Sequence, residues 1–220
     1  MGKALILKVL LLYPVFAGLF LFLPAGSLLF WEAWIYAVVL FVPLVATMLY
    51  LVKYDPGLLE RRLRFGEKVA KQKMIVRLFR LPFIIGFLIP GVDFRFGWSD
   101  VSMVLVIIAN IMVFLGYWLV YFVFRENSYT SRIVEVEKGQ KVISTGPYAI
   151  VRHPMYSGMV VMFLFTPIAL GSWWGLIVFI FLPVVLIFRI LNEEDVLRKD
   201  LQGYQEYCLK VRYRLIPFVW

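Results

Sequence analysis

Six apolar stretches whose flanking arginines and lysines fall almost entirely on one side restrict this chain to a membrane bundle. The stretches run Leu5–Leu23, Trp31–Leu51, Ile75–Val92, Val101–Phe124, Met155–Leu170 and Trp173–Phe188. About 20 apolar residues are needed for a helix to cross a ~30 Å hydrocarbon core. The first, second and fourth stretches meet that length. The third carries Arg77 and Arg80 in its first turns, and these must snorkel to the interface. The last two are about 16 residues each and are joined by Gly171-Ser172. That pairing predicts a tight helical hairpin of two short spans.

The cations set the topology. Lys3 and Lys8 open the first span, nine basic residues lie between Lys53 and Arg80, five between Arg125 and Arg152, and six between Arg189 and Arg214. Only Arg95 falls in the opposite set of loops, which also hold Glu32, Asp93 and Asp100. The positive-inside rule then places both termini in the cytoplasm and requires an even number of spans. The net charge of +9 is a topology signal rather than a nucleic-acid footprint. With 62% hydrophobic and 17% charged residues, a soluble globule, a disordered chain, a collagen and a coiled coil are all excluded. One cysteine, Cys208, leaves no internal disulfide framework or Cys-based zinc site, and one histidine, His153, leaves no multi-His cluster. The first span is too long for a signal-peptide core and is followed at once by Trp31, so it reads as a retained anchor.

The expected fold is therefore an all-α integral membrane protein of about six (five to six) transmembrane helices. Residues 1–124 read as a four-span scaffold with a basic cytoplasmic loop, 53–80. Residues 125–220 read as the catalytic region: a loop, the helical hairpin 155–188, and a C-terminal cytoplasmic helix and tail that cover a cofactor pocket. Within the first cytoplasmic loop, Asp55-Pro56 predicts a helix N-cap with proline at the first position. The helix that follows lies on the membrane surface, either as a basic segment held by anionic lipid or as a wall of a lipid entrance.

Polar residues gather at the cytoplasmic ends of the hairpin. Gly146-Pro147 and His153-Pro154 break helices just before the fifth span. They set Arg152 and His153 at a helix mouth, which suits a carboxylate or a phosphate. Interfacial anchoring by tyrosine and basic residues is the plain alternative. Beyond the sixth span, Arg189 and Glu193 are four apart and share a helix face, while Glu194 points about 100° away. These acids either face a cationic ligand or form a solvated turn with a weak ion pair. Gly203 ends that helix, and Tyr204, Tyr207 and Arg212–Trp220 form an aromatic, basic tail that folds back as a lid or docks at the interface. A lone His153 has no partners for zinc.

At these residues the sequence resembles the isoprenylcysteine carboxyl methyltransferase family. The resemblance rests on Gly146-Pro147-Tyr148-x3-Arg152-His153-Pro154-x-Tyr156-x-Gly158, then an apolar hairpin, then Arg189-x3-Glu193-Glu194-x2-Leu197, then Gly203-Tyr204-x2-Tyr207 and Arg214-x-Ile216-Pro217. It covers about residues 125–220. The phospholipid N-methyltransferases share the arginine/histidine-proline and Glu-Glu elements. The resemblance implies S-adenosylmethionine as methyl donor, bound over the hairpin. By motif, Gly146, Tyr148, His153, Tyr156 and Glu194 contact the donor, Tyr204 and Tyr207 belong to the covering tail, and Arg189 and Glu193 stand beside the reacting group. Arg152 joins His153 as the positive side of the donor site. No metal is implied.

The chemistry is consistent with this. The donor carries a sulfonium, an ammonium and a carboxylate, and Arg152/His153 with Glu193/Glu194 supply both signs of partner. Methyl transfer is a direct displacement that depends chiefly on alignment. A carboxylate acceptor is already ionised at pH 7, so Arg189 can hold it; an amine or thiol acceptor needs a base, and Glu193 is the candidate. A lipophilic acceptor enters from the bilayer, with a prenylated cysteine, a phospholipid amine and a hydrophobic thiol all open. The location is the inner membrane if the source is prokaryotic and the endoplasmic reticulum if eukaryotic. The competing readings are an NADPH-dependent sterol-reductase-like enzyme, whose C-terminal ending is similar to Tyr207-Cys208-x3-Arg212-Tyr213-Arg214-Leu215-Ile216-Pro217, and a non-enzymatic membrane scaffold.

Overall fold

A computed structural model describes residues 2–63 and 70–220. Every regular element in it is helical. The chain begins with α1 (Gly2–Ala17), which passes through one π turn, Gly18–Phe22, into α2 (Leu23–Ala25). Then come α3 (Trp31–Tyr54), α4 (Pro56–Leu63), α5 (Ala70–Phe96) and α6 (Met103–Glu126). The C-terminal half holds α7 (Pro154–Ala169), α8 (Trp173–Phe179), α9 (Phe181–Asp200) and α10 (Tyr204–Lys210). Five segments are long and apolar enough to cross a membrane, namely Ile6–Ala25, Trp31–Tyr54, Gln72–Phe96, Met103–Glu126 and Trp173–Asp200. The apolar α7, at 16 residues, is shorter.

The expected all-helical membrane fold is what the chain adopts. One length differs. The sixth stretch is not a short span ending at Phe188 but a segment of 28 residues reaching Asp200. Nothing between Arg189 and Asp200 breaks a helix, since Glu, Leu, Arg and Lys all favour one. The segment is interrupted only at Ile180, between α8 and α9. Pro183 lies three residues further on, and its missing N–H and its ring disturb the turn that reaches back to Phe179. The third stretch, weakened on paper by Arg77 and Arg80, forms a full-length helix of 27 residues.

Two caps follow the sequence closely. Asp55 Oδ1 accepts from the Leu58 N–H at 2.8 Å, with Pro56 opening α4. Ser172 Oγ accepts from the Gly175 N–H at 2.9 Å, which starts α8 immediately after Gly171 turns the chain with φ +68°. The part of the basic loop at residues 64–69, with Arg64 and Lys68, lies outside the described residues. Its helix α4 does not lie free on a surface: Leu58 and Leu59 are buried against Met48, Leu51 and Phe124.

The element that positions the site is α7. It runs along α6 at backbone contact distance. A Cβ on Gly158 would stand 2.6 Å from the Gly116 carbonyl oxygen, and one on Gly116 would stand 2.8 Å from that of Gly158. Small residues at such a crossing let two helices pack without a polar or hydrophobic anchor. Across the bundle, Tyr36 Oη and Thr166 Oγ1 are 2.9 Å apart and buried. At the end away from the site, Asp93 receives Ser99 Oγ at 2.6 Å and also the hydroxyl of Ser172, tying the α5 end to the α7–α8 turn. At the opposite end, Arg61 meets Ser128, Gln72 meets Asn192 and Arg152 meets Glu194, so the described parts of the three basic segments come together there.

Candidate functional site

Local chain geometry assembles the basic end. Gly146–Ala149 forms a single 3-10 turn, and His153-Pro154 starts α7. The tail then clasps the first turn of α7. The N–H groups of Arg152 and His153 donate to the carbonyls of Tyr213 and Arg214, both at 2.9 Å, and Ser157 Oγ donates to the Leu215 carbonyl at 2.7 Å. The tail thus packs on the site and fixes the backbone that carries Arg152 and His153.

Glu194 is the charge centre. It is 1% exposed and faces four cationic or potentially cationic side chains. Arg152 Nε stands at 2.9 Å, Arg198 Nη2 at 3.0 Å, Arg214 Nε at 3.1 Å and His153 Nε2 at 3.3 Å. Glu193, one residue earlier and on another face of α9, accepts from Tyr156 Oη at 2.6 Å. Arg189 Nε donates to the same hydroxyl at 3.0 Å. The rest of that guanidinium reaches Gln72 Oε1 at 3.1 Å and the Arg132 carbonyl at 2.8 Å. Gln72 also donates to Asn192 Oδ1 at 2.9 Å, which locks the start of α5 to α9.

Two cavities meet at this group. The smaller, of about 100 Å3, lies under the 127–143 loop and is lined by Tyr148, Arg152, His153, Tyr156, Arg189, Glu193, Tyr204 and Tyr207. The larger, of about 510 Å3, lies between α5, α7 and α9 and is more apolar. Ser131, Ile133, Met155, Tyr156 and Arg189 line both. Eight of the ten residues expected at the site therefore share one cavity. Glu194 stands behind its wall, on Arg152 and His153. Gly146 lies apart from it, with φ +54° and the Glu126 carboxylate filling the place of a Cβ, in the turn that carries Tyr148.

Tyr148, Tyr204 and Tyr207 line the cavity, each bonded differently. Tyr207 Oη donates to the Tyr148 carbonyl at 2.7 Å, and Asn127 Nδ2 donates to Tyr148 Oη at 3.0 Å. Burial pushes the hydroxyls of Tyr148, Tyr204 and Tyr207 above the usual phenol range. Tyr204 differs from the other two. It is 4% exposed, and among the described residues its hydroxyl has no hydrogen-bond partner. A buried hydroxyl without a partner costs on the order of 1–3 kcal/mol, and Tyr204 lines the cavity.

Several participants escaped the sequence reading. Arg214 lay inside a quoted motif without a role. Gln72, Asn127 and Asn192 carried no signal, because single amides near a helix end are common. The 127–143 loop roofs the cavity and is fastened by arginines of α4. Arg61 donates to the Ser128 carbonyl at 2.5 and 2.9 Å, and Arg62 to that of Ser131 at 3.2 Å. Among the described residues, no group of three or more His, Cys, Asp or Glu side chains is placed to hold a metal ion.

Comparison with known proteins bears on the same region. The family model for phospholipid methyltransferases matches residues 104–202, from α6 to the end of α9. Over 85 residues the chain is 32% identical to the Delta(14)-sterol reductase TM7SF2 of Mus musculus, a stretch that takes in 37% of this chain. The chain spans only about a fifth of that relative, 20% of its length. The matched stretch holds Arg152, His153, Tyr156, Arg189, Glu193 and Glu194.

Proposed function

We propose that this chain is an S-adenosylmethionine-dependent integral membrane methyltransferase acting on a lipophilic acceptor, with the carboxylate of a prenylated cysteine or a similar lipid-linked group as the best candidate. The observation that carries this reading is the meeting of a small, mixed-polarity cavity and a larger, more apolar cavity at Tyr156 and Arg189. Two substrates of opposite solubility can approach one point from two phases.

The residues of the smaller cavity fit the donor by chemistry. Arg152 and His153 offer positive charge to its carboxylate, Glu193 offers negative charge to its cationic groups, and the partnerless Tyr204 hydroxyl offers an unused donor. By volume, about 100 Å3 is small against the roughly 300–1,000 Å3 of ordinary ligand clefts. The 127–143 loop therefore has to lift when the donor enters. When bound, the donor supplies an electrophilic methyl group. Tyr148, Arg152, His153, Tyr156, Tyr204 and Tyr207 then bind and orient it. Glu194 acts through Arg152 and His153, which it fixes, and Gly146 shapes the turn that carries Tyr148. Arg189 aligns an anionic acceptor at the junction. Glu193 takes a proton through Tyr156 if the acceptor is an amine or thiol. The basic end of the bundle faces the cytoplasm by the positive-inside rule, which puts the donor site on the cytosolic side. Residues 125–220 form the catalytic region on the scaffold of 1–124.

A second reading has its own support. The identity shared with a sterol reductase favours an NADPH-dependent relative. Calorimetric titration of detergent-solubilised protein with S-adenosylhomocysteine and with NADPH separates the two. Micromolar binding of the first alone is the expected result. Binding of NADPH alone moves the chain to the reductases, and binding of neither by folded protein leaves a membrane scaffold.

A further inference from the structure

The larger cavity ends at one level on all three of its helices. At its polar end Arg189 donates to Tyr156 Oη at 3.0 Å and to Gln72 Oε1 at 3.1 Å, so α7, α9 and α5 are in register there. Seven residues deeper on each helix stand Phe163, Leu182 and Phe79. At 1.5 Å per residue that is a depth of about 10 Å. Val76, Met159, Val185 and Leu186 line the cavity between the two levels. Phe79 lines it too, whereas Phe163 and Leu182, 8% and 0% exposed, lie in the core beyond it.

The closing layer is aromatic. The Phe79 and Phe163 rings are 5.5 Å apart between centroids, and Phe83 stands 5.8 Å from the first and 6.5 Å from the second. Phe87 and Phe179 back them, 5.3 Å from each other. Phe179 presses on α5 so closely that a Cβ on Gly86 would stand 2.7 Å from its ring. Close-packed rings of this kind hold their geometry, so a flexible chain entering from the polar end meets a fixed obstacle. An extended chain advances roughly 1.2 Å per bond, and this depth therefore holds about eight carbons. We propose that Phe79, Phe163 and Leu182 are the specificity-determining floor of the cavity, which rewards a hydrocarbon chain up to about eight carbons and no further. Under the proposed function this cavity is the acceptor's, and its floor then selects an acceptor with a medium-length chain. The binding itself needs no methyl donor, so the two ideas fail separately.

The test titrates unbranched alkanoates, from hexanoate to tetradecanoate one carbon at a time, into the full chain. A steroid-based detergent is used, because it has no alkyl chain to compete, and dissociation constants are referred to the free aqueous acid. Affinity is expected to rise about fourfold per carbon, the equivalent of ~0.8 kcal/mol per buried methylene, and then to level between octanoate and decanoate. Phe163→Leu should move that break at least one carbon longer, and Met159→Phe, one turn above the floor, at least one carbon shorter. Phe181→Leu, on the exposed face of α9, should leave it in place. A rise that continues unbroken to tetradecanoate overturns the proposal, because the chain then leaves sideways into the detergent. A break that stays put in folded Phe163→Leu and Met159→Phe overturns it too, as does the absence of alkanoate binding altogether. S-adenosylhomocysteine is titrated in parallel. A break that moves with the floor, without S-adenosylhomocysteine binding, upholds this inference and sinks the methyltransferase reading. S-adenosylhomocysteine binding with an unbroken rise does the reverse.

Discussion

Glu194 is one carboxylate among Arg152, Arg198, Arg214 and His153, and its removal strands several cations in a wall that excludes water. Taking one partner out of a buried charge cluster typically costs about 3–5 kcal/mol. Glu194→Gln is therefore expected to lower the unfolding temperature in detergent sharply and to weaken donor binding with it. Tyr204→Phe should separate the two effects. Its hydroxyl has no partner among the described residues, so stability should hold or rise slightly, while S-adenosylhomocysteine affinity falls by roughly tenfold, the value of one hydrogen bond to a buried ligand. Unchanged affinity in Tyr204→Phe would remove that residue from the donor site. Arg189→Ala is expected to lower turnover at saturating donor more than it lowers donor affinity, measured as separate kcat and Kd effects. The charge pairing at Glu194 was only half legible. An acid near Arg152/His153 follows from the motif spacing, but the contribution of Arg214 depends on how the tail folds back, which no local pattern encodes.

Helices transmit what happens at these residues. The α6–α7 crossing allows no side chain at Gly158, since even a methyl there meets the Gly116 carbonyl. Gly158→Ala is expected to destabilise by about 1–3 kcal/mol, the usual cost of overpacking, and to disturb donor binding, because the N-terminal end of α7 carries Arg152, His153 and Tyr156. Differential thermal unfolding with and without S-adenosylhomocysteine reads both effects. The roof loop should respond to α4. Arg61→Ala removes two hydrogen bonds to the Ser128 carbonyl, and amide exchange across residues 128–134 is expected to quicken while α7 and α9 stay protected. At this scale the sequence was informative wherever the cause is local: the Asp55 cap, the Gly171-Ser172 turn and the end of α9 before Gly203 all follow from residue chemistry. The length of the last span did not follow from hydropathy, because the apolar run stops at Phe188 while the helix does not. Charged residues with good helix propensity carry it a further three turns, and those turns hold Glu193 and Glu194.

Across the whole molecule, alternating helices bring three basic segments, distant in sequence, to a single end. That convergence could be read from the placement of lysine and arginine alone, because charge cost in the membrane sets topology before any packing occurs. The loop between α6 and α7 as a roof, and the division of the site into two cavities, could not be read that way, since they depend on long-range contacts of α4 with residues 127–143 and of α5 with α9. If the larger cavity takes the acceptor's tail, chain length should matter steeply. At about 0.8 kcal/mol per buried methylene, shortening the tail by four carbons is expected to raise KM roughly two-hundredfold, and a weak or absent dependence would place the tail outside the protein. The common wall of Tyr156 and Arg189 carries a further consequence. Two ligands that press on the same side chains cannot bind independently, and linkage makes their influence mutual. Whatever factor a saturating lipid imposes on the donor's dissociation constant, the donor must impose on the lipid's. If the proposed function holds, each compartment would sense the supply of the other's substrate through the five residues that line both cavities.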